Sequence, residues 1–136
     1  MSTFSEISIS LTKKIKKKDK KDNGIYFTPP ETIQKNMKHL QPYMNNIKNI
    51  LEPSCGSCEY IVALKQKYDV NITGIELNST IYESIKHLHN EIIHDDFIQY
   101  PFDKTFDLII GNPPYFVMKK KDVNKEYYKY FDGRPN

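Results

Sequence analysis

A chain of 136 residues with a formal net charge of +3, 38% hydrophobic and 27% charged, is sized for one domain with a modest core. That balance excludes a disordered chain, and no apolar run approaches the ~20 residues of a membrane helix, so no membrane partner is expected. Two cysteines, Cys55 and Cys58, exclude a disulfide framework and point to a reducing, cytoplasmic compartment.

Residues 1–23 read as a basic leader, loosely helical or disordered. Lys13, Lys14, Lys16, Lys17, Lys18, Lys20 and Lys21 crowd it, and a solvated tail accounts for them more simply than a phosphate-binding arm. Its apolar residues precede its lysines and no cleavage signal follows, so it is not a secretion peptide. Arg134 is the only arginine, and Asn and Ile are abundant, the bias an A/T-rich coding sequence produces.

From Gly24 the pattern becomes orderly. "PPETIQKNMKHLQPYM" opens with prolines where a helix accepts them, puts Ile33, Met37 and Leu40 on one face, and should stop at Pro42. "NIKNILEP" ends a strand near Glu52, and "SCEYIVALKQKY" offers Ile61, Val62, Leu64 and Tyr68 to a helix face. "VNITGIEL" is a second β-branched run, followed by a helix from a cap at Ser79 to about His89. "EIIHDDF" holds a third strand. "TFDLIIG" holds a fourth, Phe106 to Ile110, apolar enough to be buried on both faces. Strands alternating with helices argue for an α/β fold with a mostly parallel sheet. The last stretch, 119–136, is a polar tail, helical at most. Nothing in it covers the fourth strand, so the chain reads as unfinished.

Chemistry concentrates at the strand ends, where ligands sit in open α/β sheets. "LEPSCGSC" runs from Glu52 and Pro53 through Ser54 to Gly56, a small-residue turn that lets the backbone approach a ligand. Twenty residues later Glu76 ends the second strand, placed to accept hydrogen bonds from two ribose hydroxyls. Asp96 can accept from an exocyclic amine, and Phe97 can lie on a purine. The fourth strand ends in Asn112-Pro113-Pro114-Tyr115. The Asn112 amide oxygen and the Pro113 carbonyl can both accept from one amino group, the prolines hold that carbonyl rigid, and Tyr115 can stack on a planar ring. Two such acceptors favour attack by the amine through positioning and electrostatics, without a strong base.

These residues resemble the catalytic part of an S-adenosylmethionine-dependent DNA adenine-N6 methyltransferase, of the group whose cofactor motif precedes the catalytic one. NPPY is the most specific element of a resemblance that covers residues 24–118. It implies a Rossmann-like fold, interrupted here after the fourth strand, with S-adenosyl-L-methionine as cofactor. "GIYFTPPE" resembles the family's N-terminal motif, in which Thr28 contacts the cofactor's carboxylate. Glu52, Pro53, Ser54 and Gly56 form the cofactor loop and Glu76 binds the ribose. Leu77 and Phe97 flank the adenine, and Asp96 meets its amine. Asn112, Pro113, Pro114 and Tyr115 are the catalytic residues, with Asn112, Tyr115 and Phe116 around a flipped target adenine in DNA. The resemblance also implies a role in restriction-modification, with target recognition carried by a missing C-terminal region or a second chain. Cys58 stands where the family has a second glycine.

Other readings remain open. NPPY also serves methyltransferases acting on protein glutamine or on RNA-base amines, and a non-catalytic half of a split enzyme is a third reading. Cys55 and Cys58 form a C-x-x-C, a redox pair in some proteins. Zinc is not expected, because His87, His89 and His94 lie away from them.

Overall fold

The computed structural model describes residues 4–115, 121 and 123–130. Four short runs, three of them rich in isoleucine, form one sheet: β1 (Asn49–Glu52), β2 (Asn71–Glu76), β3 (Ile92–His94) and β4 (Leu108–Ile109). All three pairings are parallel, in the order β3-β2-β1-β4. Glu52 stands opposite Gly74, Glu76 opposite His94, and Leu51 opposite both Thr73 and Ile109. Parallel neighbours require crossovers, which α4 (Glu59–Lys67) and α5 (Ser79–Ile85) provide. Ile50, Ile72, Ile61, Leu64, Ile81 and Ile85 fill the core between sheet and helices.

Helix α3 (Pro30–Leu40) starts at proline as expected, buries Ile33 and Met37, and gives way at Gln41 to a 3-10 turn, Gln41–Asn46, that contains Pro42. Within α4, Tyr60, Ile61 and Leu64 face inward while Val62 is exposed, because 3.6-residue periodicity turns it away from Ile61 and Leu64. Helix α5 is capped by Asn78, whose side chain accepts from the Ile81 N–H at 3.1 Å. Its last residue is Ile85, short of His89, whose ring meets the Ile72 carbonyl at 2.6 Å.

The leader departs from a solvated tail. Residues Glu6–Lys14 form α1 and Lys17–Asp22 form α2. Ser5 caps α1 by accepting from the Ser8 N–H, Glu6 occupies its first turn, and Lys13 and Lys14 its last, so cap and dipole agree. Leu11 and Ile15 are buried and Ile7 packs on the same core. Their four-residue spacing is the amphipathic signal that the lysines mask.

The fourth strand is also shorter and more open than expected. Ile109 is 61% exposed, since among the described residues nothing pairs or packs on the outer side of β4. Hydrogen bonds extend its pairing by one residue each way, Asp107 N–H to the Asn49 carbonyl at 2.8 Å and Ile110 N–H to the Leu51 carbonyl at 3.0 Å. The Asp107 carboxylate also accepts from the Lys48 and Asn49 N–H groups at 2.9 and 2.8 Å. No helix among the described residues is long and apolar enough to cross a membrane.

Candidate active site

The C-terminal ends of β1, β2 and β4 meet on one rim. β1 delivers Glu52 into the core, and the chain then turns through Pro53–Ser57. This turn is stitched to β2: the Cys55 N–H donates to the Ile75 carbonyl at 2.8 Å, and the Gly56 N–H donates to Glu76 Oε2 at 2.9 Å. The other Glu76 oxygen accepts from the Asn78 N–H at 2.8 Å. Gly56 has φ +51°, and a Cβ at Gly74 would lie 2.8 Å from the end of the Ile61 side chain and 3.3 Å from Cys55 Sγ, so Ile61 would have to shift to admit it. Cys58 adopts φ +63°, the left-handed region that favours glycine, the residue that the resemblance implies at this position.

The rim carries buried titratable groups. Burial, then the fields of Cys55, Glu76 and Glu59, raise the Glu52 pKa well above the ordinary carboxylate range. Glu52 Oε2 and Ser54 Oγ are buried with no hydrogen-bond partner among the described residues. Burial also raises Glu76, against the lowering effect of the Asn78 and Gly56 N–H groups. A hydrogen bond with Cys58, reinforced by burial, pushes the Cys55 thiol far up, the opposite of a reactive thiolate.

One cleft is lined by Tyr26, Thr28, Glu52, Ser54, Gly56 and Asn112. It joins the β1 turn to the start of the NPPY segment. Gly111 passes directly over that turn: a Cβ there would sit 3.4 Å from Pro53 and 3.7 Å from Glu52 Oε1. The Asn112 amide nitrogen makes a long contact, 3.5 Å, with the Tyr26 carbonyl. Pro113, Pro114 and Tyr115 are exposed, and the Tyr115 N–H reaches the Gly24 carbonyl at 3.4 Å.

The remaining expected positions lie further along the rim. Leu77 is exposed, and Phe97 is 40% exposed and tilted against Phe102. Asp96 Oδ1 accepts from the Ile98 N–H, while Oδ2 accepts from the Tyr127 hydroxyl at 2.6 Å and from Gln99 at 3.4 Å. Neither Asp96 nor Phe97 lines the cleft that holds Asn112. Phe116 falls outside the described residues.

Two sets of contacts were not expected from sequence. The Ser5 and Ser8 hydroxyls donate to Glu59 Oε1 at 2.6 and 2.5 Å, and the Ser8 and Ser57 hydroxyls lie 2.8 Å apart, tying α1 to the N-terminal end of α4. Tyr127 comes from the 3-10 turn Lys125–Tyr130 in the polar tail. Serines 49 residues apart leave no local signal of pairing; the tail's one signal was its repeated tyrosines.

A model of the Eco57I restriction-modification methylase family matches residues 3–136. The chain belongs to that family. It is 37% identical over 118 residues to the Type II methyltransferase M.CvrRI of Paramecium bursaria Chlorella virus XZ-6E, covering 85% of this chain and 31% of that protein. It is 33% identical over 120 residues to the modification methylase CviBIII of Paramecium bursaria Chlorella virus NC1A, covering 84% and 32%. A tRNA1(Val) (adenine(37)-N6)-methyltransferase of Actinobacillus pleuropneumoniae serotype 5b (strain L20) is 32% identical over 79 residues, 51% of this chain and 34% of its own. The chain thus spans about a third of the length of these three relatives. The parallel sheet with its glycine-bearing turn after β1 is the Rossmann-like sheet of this methylase family.

Proposed function

We propose that this chain holds S-adenosyl-L-methionine and presents the catalytic turn for methyl transfer to the N6 amine of adenine in DNA. One observation carries the reading: two orphaned buried polar atoms, Glu52 Oε2 and Ser54 Oγ, in a cleft shared with Thr28 and Asn112. Buried polar atoms without partners are rare and costly, so a bound polar group is the natural complement. The cofactor's ammonium and carboxylate match this set of acceptors and hydroxyls. When bound, the cofactor supplies an electrophilic methyl group on a sulfonium centre.

The chain's own residues do the rest. Glu52 meets the ammonium, and Thr28 and Ser54 meet the carboxylate, with Pro53 shaping the turn. Glu76, already fixed by two backbone N–H groups, keeps acceptor capacity for ribose hydroxyls. Leu77, Asp96 and Phe97 take the adenine. Asn112, with its nitrogen toward Tyr26, keeps Oδ1 free to accept from the target amine alongside the Pro113 carbonyl. Pro114 stiffens the turn, Tyr115 stacks on the base, and Phe116 adds to the pocket wall. Relatives named as Type II and modification methylases support DNA, and the relative named for adenine N6 supports the atom methylated. That same relative favours RNA adenine as the second reading. A further region or second chain would supply target recognition, and two free buried thiols suit a reducing, cytoplasmic compartment.

Calorimetric titration with S-adenosylmethionine tests the reading. Saturable binding is expected for the wild type and Asn112→Ala, with loss in Glu76→Ala. A folded chain that binds no cofactor would overturn it.

A further inference from the structure

The lysines on α1 and α2 have no role in the cofactor site. Seven lysines and two aspartates lie between residues 13 and 22, a local balance of 7 − 2 = +5. Lys20 reaches back to the Thr12 carbonyl at 2.8 Å, while Lys13, Lys14, Lys16, Lys17, Lys18 and Lys21 are exposed. Among the described residues the ion pairs fall elsewhere, at Glu83–Lys86, Glu91–Lys104 and Glu126–Lys129.

This charge is held in place. Leu11 and Ile15 are buried, Ser5 and Ser8 tie α1 to Glu59, and the Ile25 N–H closes on the Lys20 carbonyl at 2.9 Å. The ridge also ends at the NPPY turn. Two residues after α2, Gly24 touches Tyr115, and the Tyr26 carbonyl contacts Asn112 at 3.5 Å. Lys21 is three residues from Gly24, at most about 11 Å along the chain. Tyr26 and Tyr115, 62% and 68% exposed, flank the junction.

We propose that the lysines of α1 and α2 form a ridge that grips the phosphate backbone of DNA beside the Asn112 turn. The inference deepens the methyl-transfer reading and rests on it for the choice of DNA. Lysine–phosphate contacts position a duplex without reading its sequence. Helix α2 buries no residue and has no apolar face, so a membrane surface fits it poorly.

The test is fluorescence anisotropy of a labelled DNA duplex of about 20 base pairs, titrated with the full chain across a salt series, since each phosphate contact contributes a salt slope of about 0.9. Three proteins are compared: the wild type; Lys16→Gln with Lys17→Gln, Lys18→Gln and Lys21→Gln; and a charge-matched control, Lys35→Gln with Lys38→Gln, Lys48→Gln and Lys67→Gln. The ridge variant should bind at least about tenfold more weakly at low salt, with a slope shallower by up to about 3.6, four contacts at 0.9 each. The control should lie close to the wild type. Equal losses in both variants, an unchanged slope in the ridge variant, or tighter binding of a matched RNA duplex would each overturn the proposal. Cofactor titrations of the same proteins separate the two readings: ridge-dependent DNA binding without cofactor binding sinks methyl transfer alone, and the reverse sinks the ridge alone.

Discussion

Glu52→Gln should make the cofactor-free chain more stable at alkaline pH while weakening cofactor binding. Glu52 is buried, its pKa is raised by that burial, and Oε2 has no partner. A group whose folded pKa exceeds its unfolded value of 4.5 holds a proton in the folded state that the unfolded chain gives up. Stability is therefore lost as pH climbs from 4.5 through the folded pKa. Glutamine keeps the shape and never ionises. Each pH unit between 4.5 and the folded pKa costs the wild type up to about 1.4 kcal/mol, and 1 kcal/mol moves Tm by about 4 °C in a chain of this size, so a gain of at least several degrees is expected at pH 8. Near pH 4.5 the gain should vanish. Glu76 also titrates high, but it does so in both proteins and drops out of the difference. Calorimetric melts at the two pH values, with and without S-adenosylmethionine, supply the measurement. A Tm difference that ignores pH, or a variant that melts lower at pH 8, would refute the reasoning about Glu52.

Gly24→Ala forces φ +60° on a residue whose Cβ would sit 2.6 Å from the Tyr115 backbone, so a loss of about 2 kcal/mol or more is expected in denaturant unfolding. Gly56→Ala has a similar φ but meets only Phe27 at 3.7 Å, and should cost about half as much. Tyr127→Phe removes the hydroxyl hydrogen-bonded to Asp96 Oδ2 and frees that acceptor, so calorimetry should show S-adenosylmethionine binding about tenfold tighter. Asp107 is held below its usual pKa by the Asn49 and Lys48 N–H groups, so its contribution is present above pH 3.8 and lost as pH falls through the folded pKa. Asp107→Ala should melt below the wild type at pH 7, with the gap closing toward pH 2.

Much of this was legible because period and spacing are local. The βαβ alternation, the proline-led α3 and the order of the rim motifs all read directly from runs of isoleucine, glycine and proline. The leader did not, because its lysine density hid a four-residue apolar spacing at Ile7, Leu11 and Ile15. The span of β4 did not either. Apolar composition cannot distinguish a strand covered on both sides from one whose outer side is open, and Ile109 is open. The positive φ at Cys58 had its sign only in the resemblance, which implies glycine there, and none in the cysteine itself. Of the expected site residues, the cleft brings together Thr28, Glu52, Ser54, Gly56 and Asn112, and Glu76 joins them through Gly56. Asp96 was placed on the rim by its motif, but its engagement by Tyr127 depends on a contact 31 residues away.

The pairing of β4 with β1 has a consequence for how the chain assembles. Strands β1, β2 and β3 follow one another with a single helix between neighbours, whereas β4 reaches β1 across almost 60 residues and pairs through only two. Closing a long loop costs entropy before any contact repays it, so the strand that leads into the NPPY turn should dock late. Asp107, hooked to the successive N–H groups of Lys48 and Asn49 at the start of β1, sets the register at that moment. A slip of one residue would turn Leu108 outward and Ile109 inward and carry Asn112 off its place beside Tyr26. Amide exchange of Ile110, whose N–H bonds to the Leu51 carbonyl, would then report opening of β4 at a free energy below that of the β1–β2 pairing.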